Sequence, residues 1–351
     1  MLKQNRTTIR KRILKWFDRR ERDLPWLKKR TPYKVWVSEI MLQQTQISTV
    51  IGYYKKFIKR FPNINKLAAA DEQDVLALWE GLGYYRRARQ LHKAARVIAE
   101  QHAGKFPTDF DAVLALPGIG RYTAGAILSI SLDQKLPILE GNTIRLFSRL
   151  SGLREDAFNR ESQKQLWAIS ESLLPNKRAG DFNQAVMDFG RDVCRPKNPD
   201  CPSCCLQDFC VARVKGLQQE IPFKAAKMKY EDLNEAIVLI RRRKKILIRQ
   251  CQDGERWAGL WDFPRFENGN VPEMELSVLE STGLNANIAV LNHSIKHAVT
   301  RFRIKLDCYE STSVSGRIKR DSRYVWKTVN EIEALPLSVT GRKFANKFLK
   351  A

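Results

Sequence analysis

Four cysteines near the middle of the chain, Cys194, Cys201, Cys204 and Cys210, are separated by six, two and five residues. Thiols this close along a chain need a common cause, and a single metal centre supplies one. The pattern C-x6-C-x2-C-x5-C matches neither the common zinc spacings nor the C-x2-C-x2-C run of bacterial ferredoxins, although zinc and a cubane iron-sulfur cluster both accept four thiolates. Spacing therefore specifies a four-thiolate site and leaves the metal open. Cys205, Cys251 and Cys308 fall outside the pattern and read as packed or free thiols, and the odd total of seven fits a reducing compartment.

A second constellation is Leu116-Pro117-Gly118-Ile119-Gly120-Arg121-Tyr122-Thr123-Ala124, a tight turn that opens a helix. Two glycines at this spacing let the backbone approach a phosphate closely. The helix that follows presents its free N–H groups and positive dipole end to the same anion. The chemistry on offer is a grip on a nucleic-acid backbone that does not read bases. Bulk charge agrees: 62 Lys and Arg against 38 Asp and Glu leave a net charge of +24. Self-repulsion of that size is most easily understood with a polyanionic partner whose counterions are released on binding.

The elements that must position these groups fall into two textures. From Thr8 to about Asp192 apolar residues recur at three and four, as in Val35, Trp36, Ile40, Met41, Ile47, Val50, Ile51 and Tyr54, which predicts a bundle of helices. Pro32 sits near a helix start, and Phe61-Pro62 and Gly104 near helix ends. Past the cysteines, Val211–Tyr230 is basic and weakly periodic, with residues 216–230 reading as a linker. Short β-type runs follow at Ala236–Ile240 and Ile246–Ile248, joined by an Arg241–Lys245 turn, and at Arg301–Tyr309. With 351 residues the chain is long enough for two cores. Its apolar runs fall far short of a membrane span, and its N-terminus lacks the apolar core of a signal peptide, so a soluble intracellular protein is expected.

Together these stretches resemble the helix-hairpin-helix DNA glycosylases that carry an iron-sulfur cluster, and among them the MutY-type adenine DNA glycosylases. The match runs over nearly the whole length. It is carried by Asp23-Leu24-Pro25-Trp26, by Val37 to Thr45, by Glu80-Gly81-Leu82-Gly83-Tyr84-Tyr85, by the hairpin, by Glu140-Gly141-Asn142, by Phe182-Asn183-Gln184-Ala185 and by the four cysteines. The resemblance implies a mainly α N-terminal helix-hairpin-helix glycosylase domain over residues 1–215. That domain would include a [4Fe-4S] cluster module at 194–210 held by Cys194, Cys201, Cys204 and Cys210. A smaller α+β Nudix-like C-terminal domain over 231–351 would follow the linker. The Nudix pyrophosphatase motif needs metal-binding carboxylates before a glycine; counting back from Gly283 the positions read Leu276, Ser277, Glu280 and Ser281, so that chemistry is not expected.

The same resemblance implies roles. Excision requires the target nucleotide to leave the stack; residues matching Gln44 and Tyr84 enter the duplex, while Leu116, Gly118, Gly120 and Thr123 belong to the hairpin that holds DNA. Adenine departs only if protonated, and Glu39 matches the proton donor, which an apolar pocket must keep protonated. Glu140 would supply the anion beneath the oxocarbenium-like sugar, oriented by Asn142 and Tyr122. The family usually carries aspartate there, so an extra methylene stands at a reacting centre. Relatives that also cut the strand carry a Schiff-base lysine at the Tyr122 position, which a phenol cannot replace. Val299, Thr300 and Arg301 match the loop that recognises 8-oxoguanine. The expected protein is a monofunctional adenine DNA glycosylase acting as a monomer on double-stranded DNA with A:8-oxoguanine or A:G mispairs, with no membrane partner, in a prokaryotic cytoplasm near the nucleoid. The alternatives are a bifunctional glycosylase/lyase of the endonuclease III type and a non-catalytic lesion-binding protein.

Overall fold

A computed structural model describes residues 4–21, 23–225, 229–267, 269–320 and 323–349. Residues 226–228 of the expected linker lie outside them. The chain forms two compact units, residues 1–69 with 90–227, and residues 70–89 with 228–351.

The first unit is helical, as the three-and-four spacing predicts. Ile9, Ile13 and Phe17 line one face of the helix Arg6–Asp18, and Phe182 and Phe189 one face of Ala179–Asp192; all five are buried in one core with Phe147 and Leu150. Pro32 takes the first turn of the helix Pro32–Leu42, where its missing N–H costs nothing, and Thr31 caps that helix by accepting from the Lys34 N–H. Tyr33 and residues 35 to 41 of this helix are buried, with Lys34 partly exposed near its start. A helix buried over most of its faces belongs to the interior, so a charge in its buried stretch loses its water. The helix Arg121–Leu132 is also buried along most of its length, packs on Pro32–Leu42, and is packed in turn by Ala179–Asp192. Two residues of the expected linker are buried in this unit: Leu217 and Ile221 pack with Ala212, and the Ile221 carbonyl accepts from Arg149.

The second unit is α+β. Its strands are β1 (Glu231–Leu239), β2 (Arg241–Arg242), β3 (Lys245–Gln250), β4 (Trp261–Asp262), β5 (Arg265–Glu267), β6 (Leu284–Val299), β7 (Phe302–Gly316) and β8 (Tyr324–Thr328). One sheet runs β5-β1-β7-β6, with β1 and β7 parallel; the other is β2-β3-β4, with β8 also on β3. The helix Val271–Thr282 packs on β6, burying Met274 and Val278 in a core with Val238, Leu247 and Ile288. Two expectations need correction. Arg241 and Arg242 pair with Ile246 and Lys245, so the five-residue basic turn narrows to Arg243-Lys244, with Arg243 left-handed as a two-residue hairpin demands. The strand expected from Arg301 starts at Phe302, because Thr300 and Arg301 form the bend between β6 and β7.

Candidate active site

Glu39 sits in the buried stretch of the helix Pro32–Leu42 and is itself buried. Burial raises its carboxyl to about 7, with the nearby Glu140 and Asp188 adding to the rise; the Tyr122 hydroxyl, which donates to Oε2 at 2.8 Å, acts in the opposite sense. The phenol is itself held protonated by burial and by the two glutamates. Tyr122, expected on Glu140, instead bonds Glu39 and touches Met187 Sδ at 3.3 Å.

The reason lies in the backbone around Glu140. This residue is the N-cap of the helix Gly141–Ser151. Oε2 accepts from the Asn142 N–H at 2.9 Å and from Asn142 Nδ2 at 3.3 Å, while Oε1 accepts from the Thr143 N–H at 3.0 Å. Thr143 Oγ1 closes a capping box on the Glu140 N–H. The longer side chain thus does the work of a capping aspartate, and the helix N-terminus holds its charge. Burial nonetheless lifts this carboxyl above its ordinary range against those amides and Arg145. Asn142 is fixed from behind: its Oδ1 accepts from Arg145 at 2.8 Å, and a side chain at Gly190 would collide with the Asn142 backbone.

Glu39, Tyr122, Glu140, Asn142 and Asp188 line one cavity of about 170 Å³, walled by Trp26, Leu42 and Ile130. That is room for far more than a single water, and the site pairs a carboxyl poised to give a proton at neutral pH with a second, amide-held carboxylate. Asp188 reads from sequence as an ordinary helix charge and pairs with Arg191 at 2.8 Å; its place on the same helix as Phe182-Asn183-Gln184-Ala185 is the one signal that points to it.

The hairpin is built as expected. Gly118 has φ +76°, and a Cβ there would meet the Gln90 side chain. Gly120 is the N-cap of Arg121–Leu132 and has open space on its side-chain side. The side chains of Leu116 and Thr123 face the interior, Thr123 accepting from Gln43, while Gly118, Gly120 and Arg121 are exposed. Gln44 is exposed on the turn after Pro32–Leu42 with φ +56°. In the second unit Tyr84 is 46% exposed with φ +50°. Val299 pairs with Phe302 at the end of the β6–β7 hairpin, Thr300 has φ +51°, and the exposed Arg301 reaches Glu231 at 3.2 Å. Three non-glycine residues in this conformation stand where DNA contacts were expected, and such strain persists only where the surroundings impose it.

Tight turns after Ala179–Asp192 bring Cys194, Cys201, Cys204 and Cys210 around one small cavity. Cys205 points elsewhere, its thiol 3.8 Å from the Arg12 carbonyl. Burial pushes the Cys204 thiol up to about 12 and raises Cys201 and Cys210. Two buried arginines serve this loop: Arg149 donates to Cys194 Sγ at 3.4 Å and to the Arg195 carbonyl, and Arg145 to the Cys194 carbonyl at 2.7 Å. Among the described residues no group of three or more His, Cys, Asp or Glu side chains is set to hold a single metal ion.

A family model described as HhH-GPD superfamily base excision DNA repair protein matches residues 37–172, and a NUDIX domain model matches residues 236–347. An adenine DNA glycosylase of Buchnera aphidicola subsp. Acyrthosiphon pisum is 35% identical over 341 residues, 96% of this chain and 97% of that protein. Its counterpart from Buchnera aphidicola subsp. Schizaphis graminum is 43% identical over 256 residues, 73% and 74% of the two chains. A solved thermostable thymine-DNA glycosylase superposes with a TM-score of 0.56 at 29% identity, covering 60% of this chain and 98% of its own.

Proposed function

The chain belongs to the HhH-GPD superfamily of DNA glycosylases, within its adenine DNA glycosylases, and we propose that it hydrolyses the N-glycosidic bond of adenine paired with 8-oxoguanine or guanine, leaving an abasic site. The observation that carries this reading is the pocket in which Glu39, raised to about 7, faces the amide-held Glu140. Glu39 gives its proton to the departing base, so that adenine leaves neutral. Glu140, whose anionic form the Asn142 and Thr143 amides favour against the opposing effect of burial, balances the positive charge that develops on the sugar, in a cavity where water screens little. Tyr122 holds Glu39 in place by its hydrogen bond, and Asn142 holds Glu140.

The hairpin backbone at Gly118 and Gly120 grips phosphate, Gln44 and Tyr84 occupy the space left by the extruded nucleotide, and Val299, Thr300 and Arg301 meet the opposite base. Four soft thiols of one loop around one cavity suit a thiophilic centre, and Cys194, Cys201, Cys204 and Cys210 would hold a [4Fe-4S] cluster. When bound, its iron–thiolate bonds cross-link the loop that Arg145 and Arg149 anchor. The enzyme works as a monomer on chromosomal DNA of a prokaryotic cytoplasm. A lyase is disfavoured because Tyr122 offers no amine for a Schiff base. Single-turnover incubation with an A:8-oxoguanine duplex tests the whole reading: free adenine and an intact, alkali-labile strand are expected. Strand scission trapped by borohydride, or binding without release, overturns it.

A further inference from the structure

Residues 70–89 group with residues 228–351, and three contacts within that unit tie them there. The Gln73 amide donates to the Gly259 carbonyl at 3.1 Å and accepts from the Trp261 indole at 3.0 Å. Arg89 pairs with Asp253 at 2.6 Å. The third contact is the most directional: Arg342 Nε donates to Glu80 Oε1 at 2.6 Å and its Nη2 to Oε2 at 3.0 Å, a fork-to-fork pair. The same Nη2 donates to the Leu335 carbonyl at 2.7 Å, which fixes the guanidinium before it meets Glu80.

Glu80 is the last residue before a sharp turn. It ends the helix Glu72–Trp79, and Gly81, Gly83 and Tyr84 then take φ of 92°, 78° and 50°. The turn is bonded internally: the Trp79 indole donates to the Gly83 carbonyl, the Gly81 N–H to the Tyr85 hydroxyl, and Arg87 to the Gly83 carbonyl. Glycine adopts this backbone freely, whereas tyrosine is strained in it. Held this way, the Tyr84 ring stays exposed. A wedge that enters a base stack needs a rigid base of this kind, because a turn that relaxed would let the ring fold back.

We infer that Arg342 is a positioning residue for Tyr84: by gripping Glu80 with both nitrogens it sets the backbone from which the ring enters DNA. The C-terminal unit then acts on the duplex twice, through the β6–β7 hairpin and through the Tyr84 turn. Lysine replaces Arg342 only in part, since an ammonium makes no planar fork. The inference rests on the reading of Tyr84 as a wedge.

The test uses the full-length protein as Arg342→Ala, Arg342→Lys, Tyr84→Ala, the Arg342→Ala/Tyr84→Ala double variant, and the exchange Glu80→Arg/Arg342→Glu. Two quantities are followed: single-turnover adenine release, and the emission of 2-aminopurine placed beside the target, which rises as the stack opens. Arg342→Ala is expected to slow release about tenfold, within the range of couplings between contacting residues, and to blunt the emission rise. Arg342→Lys falls between it and wild type, the exchange restores both signals only in part because a carboxylate at 342 cannot donate to the Leu335 carbonyl, and Arg342→Ala adds no loss once Tyr84 is alanine. Wild-type behaviour of Arg342→Ala, or a loss that adds in full to that of Tyr84→Ala, overturns the inference while leaving the wedge intact. Wild-type release by Tyr84→Ala overturns the wedge reading, and the inference with it.

Discussion

Tyr122→Phe isolates one interaction in the pocket. The ring remains, and what is lost is the hydroxyl that donates to Glu39 Oε2 at 2.8 Å. That bond favours the carboxylate, against the burial that lifts Glu39 to about 7. A hydrogen bond to a charged group contributes about 1.5–3 kcal/mol and one pKa unit corresponds to about 1.4 kcal/mol, so its loss moves the Glu39 midpoint up by about one to two units. The proposed reaction uses the protonated acid, so activity should be retained below this midpoint and lost as pH rises through it. At pH 8.5 a group titrating at 7 is about 3% protonated, and one titrating at 8 is about a quarter protonated. Single-turnover release of adenine, measured from about pH 5.5 to 10 and scaled to each protein's own plateau, reads the shift directly. An alkaline limb that stays in place or moves down refutes the role of Tyr122 and the identity of the acid. Asp188→Asn is the control of opposite sign: it removes a charge that raises Glu39 and should move the limb down.

Glu39→Gln should abolish release and yet stabilise the fold at alkaline pH. The folded wild type resists an ionisation that the unfolded chain accepts near 4.5, so its stability falls between 4.5 and about 7. The glutamine variant should therefore gain nothing at pH 4, and about 3 kcal/mol above pH 7.5, by urea unfolding. Glu140→Gln should lose most activity, while Glu140→Asp should keep the helix cap and fold normally but release adenine about 10- to 100-fold more slowly, because its carboxylate withdraws from the sugar. A faster Asp variant would show that the longer side chain impairs the site. The purified protein should be brown, with broad absorption near ~400 nm that Cys204→Ser removes and Cys205→Ser leaves; a colourless anaerobic preparation with one zinc and no iron would exclude the cluster.

What could be read from the sequence followed local spacing. Cys194 to Cys210 and the Gly118-Ile119-Gly120 turn announce themselves, and the helices Arg6–Asp18 and Ala179–Asp192 bury the faces their periodicity marks. Glu39 depends on resemblance, because one acid among apolar residues usually sits at a rim; only the packing shows that residues 35 to 41 of its helix are buried on every side. Arg145 and Arg149 were missed for the converse reason. Arginines four apart on a helix suggest a wet face, yet both are buried with their guanidinium groups on carbonyls of the cysteine loop. The long strand β6 alternates with weak formers such as Asn285, Asn287, Asn292 and Ser294, and gains its order from pairing with β7. The bond from Tyr122 to Glu39 has no signal in the sequence, because the two residues lie 83 positions apart and meet only through helix packing.

The membership of residues 70–89 in the C-terminal unit bears on how the protein is made. A ribosome adds about 5–20 residues each second, so Glu80 leaves the exit tunnel on the order of ten seconds to a minute before Arg342 exists. During that interval its carboxylate has no fork to meet. Leu76, which in the finished protein lies close to Gly259, has no such neighbour either. The nascent helical portion therefore carries an unfinished stretch through most of translation, and a prematurely ended chain keeps its excision pocket residues without the support of its Tyr84 turn. Inheritance is constrained in the same way. Recombination that exchanged everything after residue 230 would have to bring partners for Gln73, Glu80 and Arg89, so these two portions must be inherited as a matched pair.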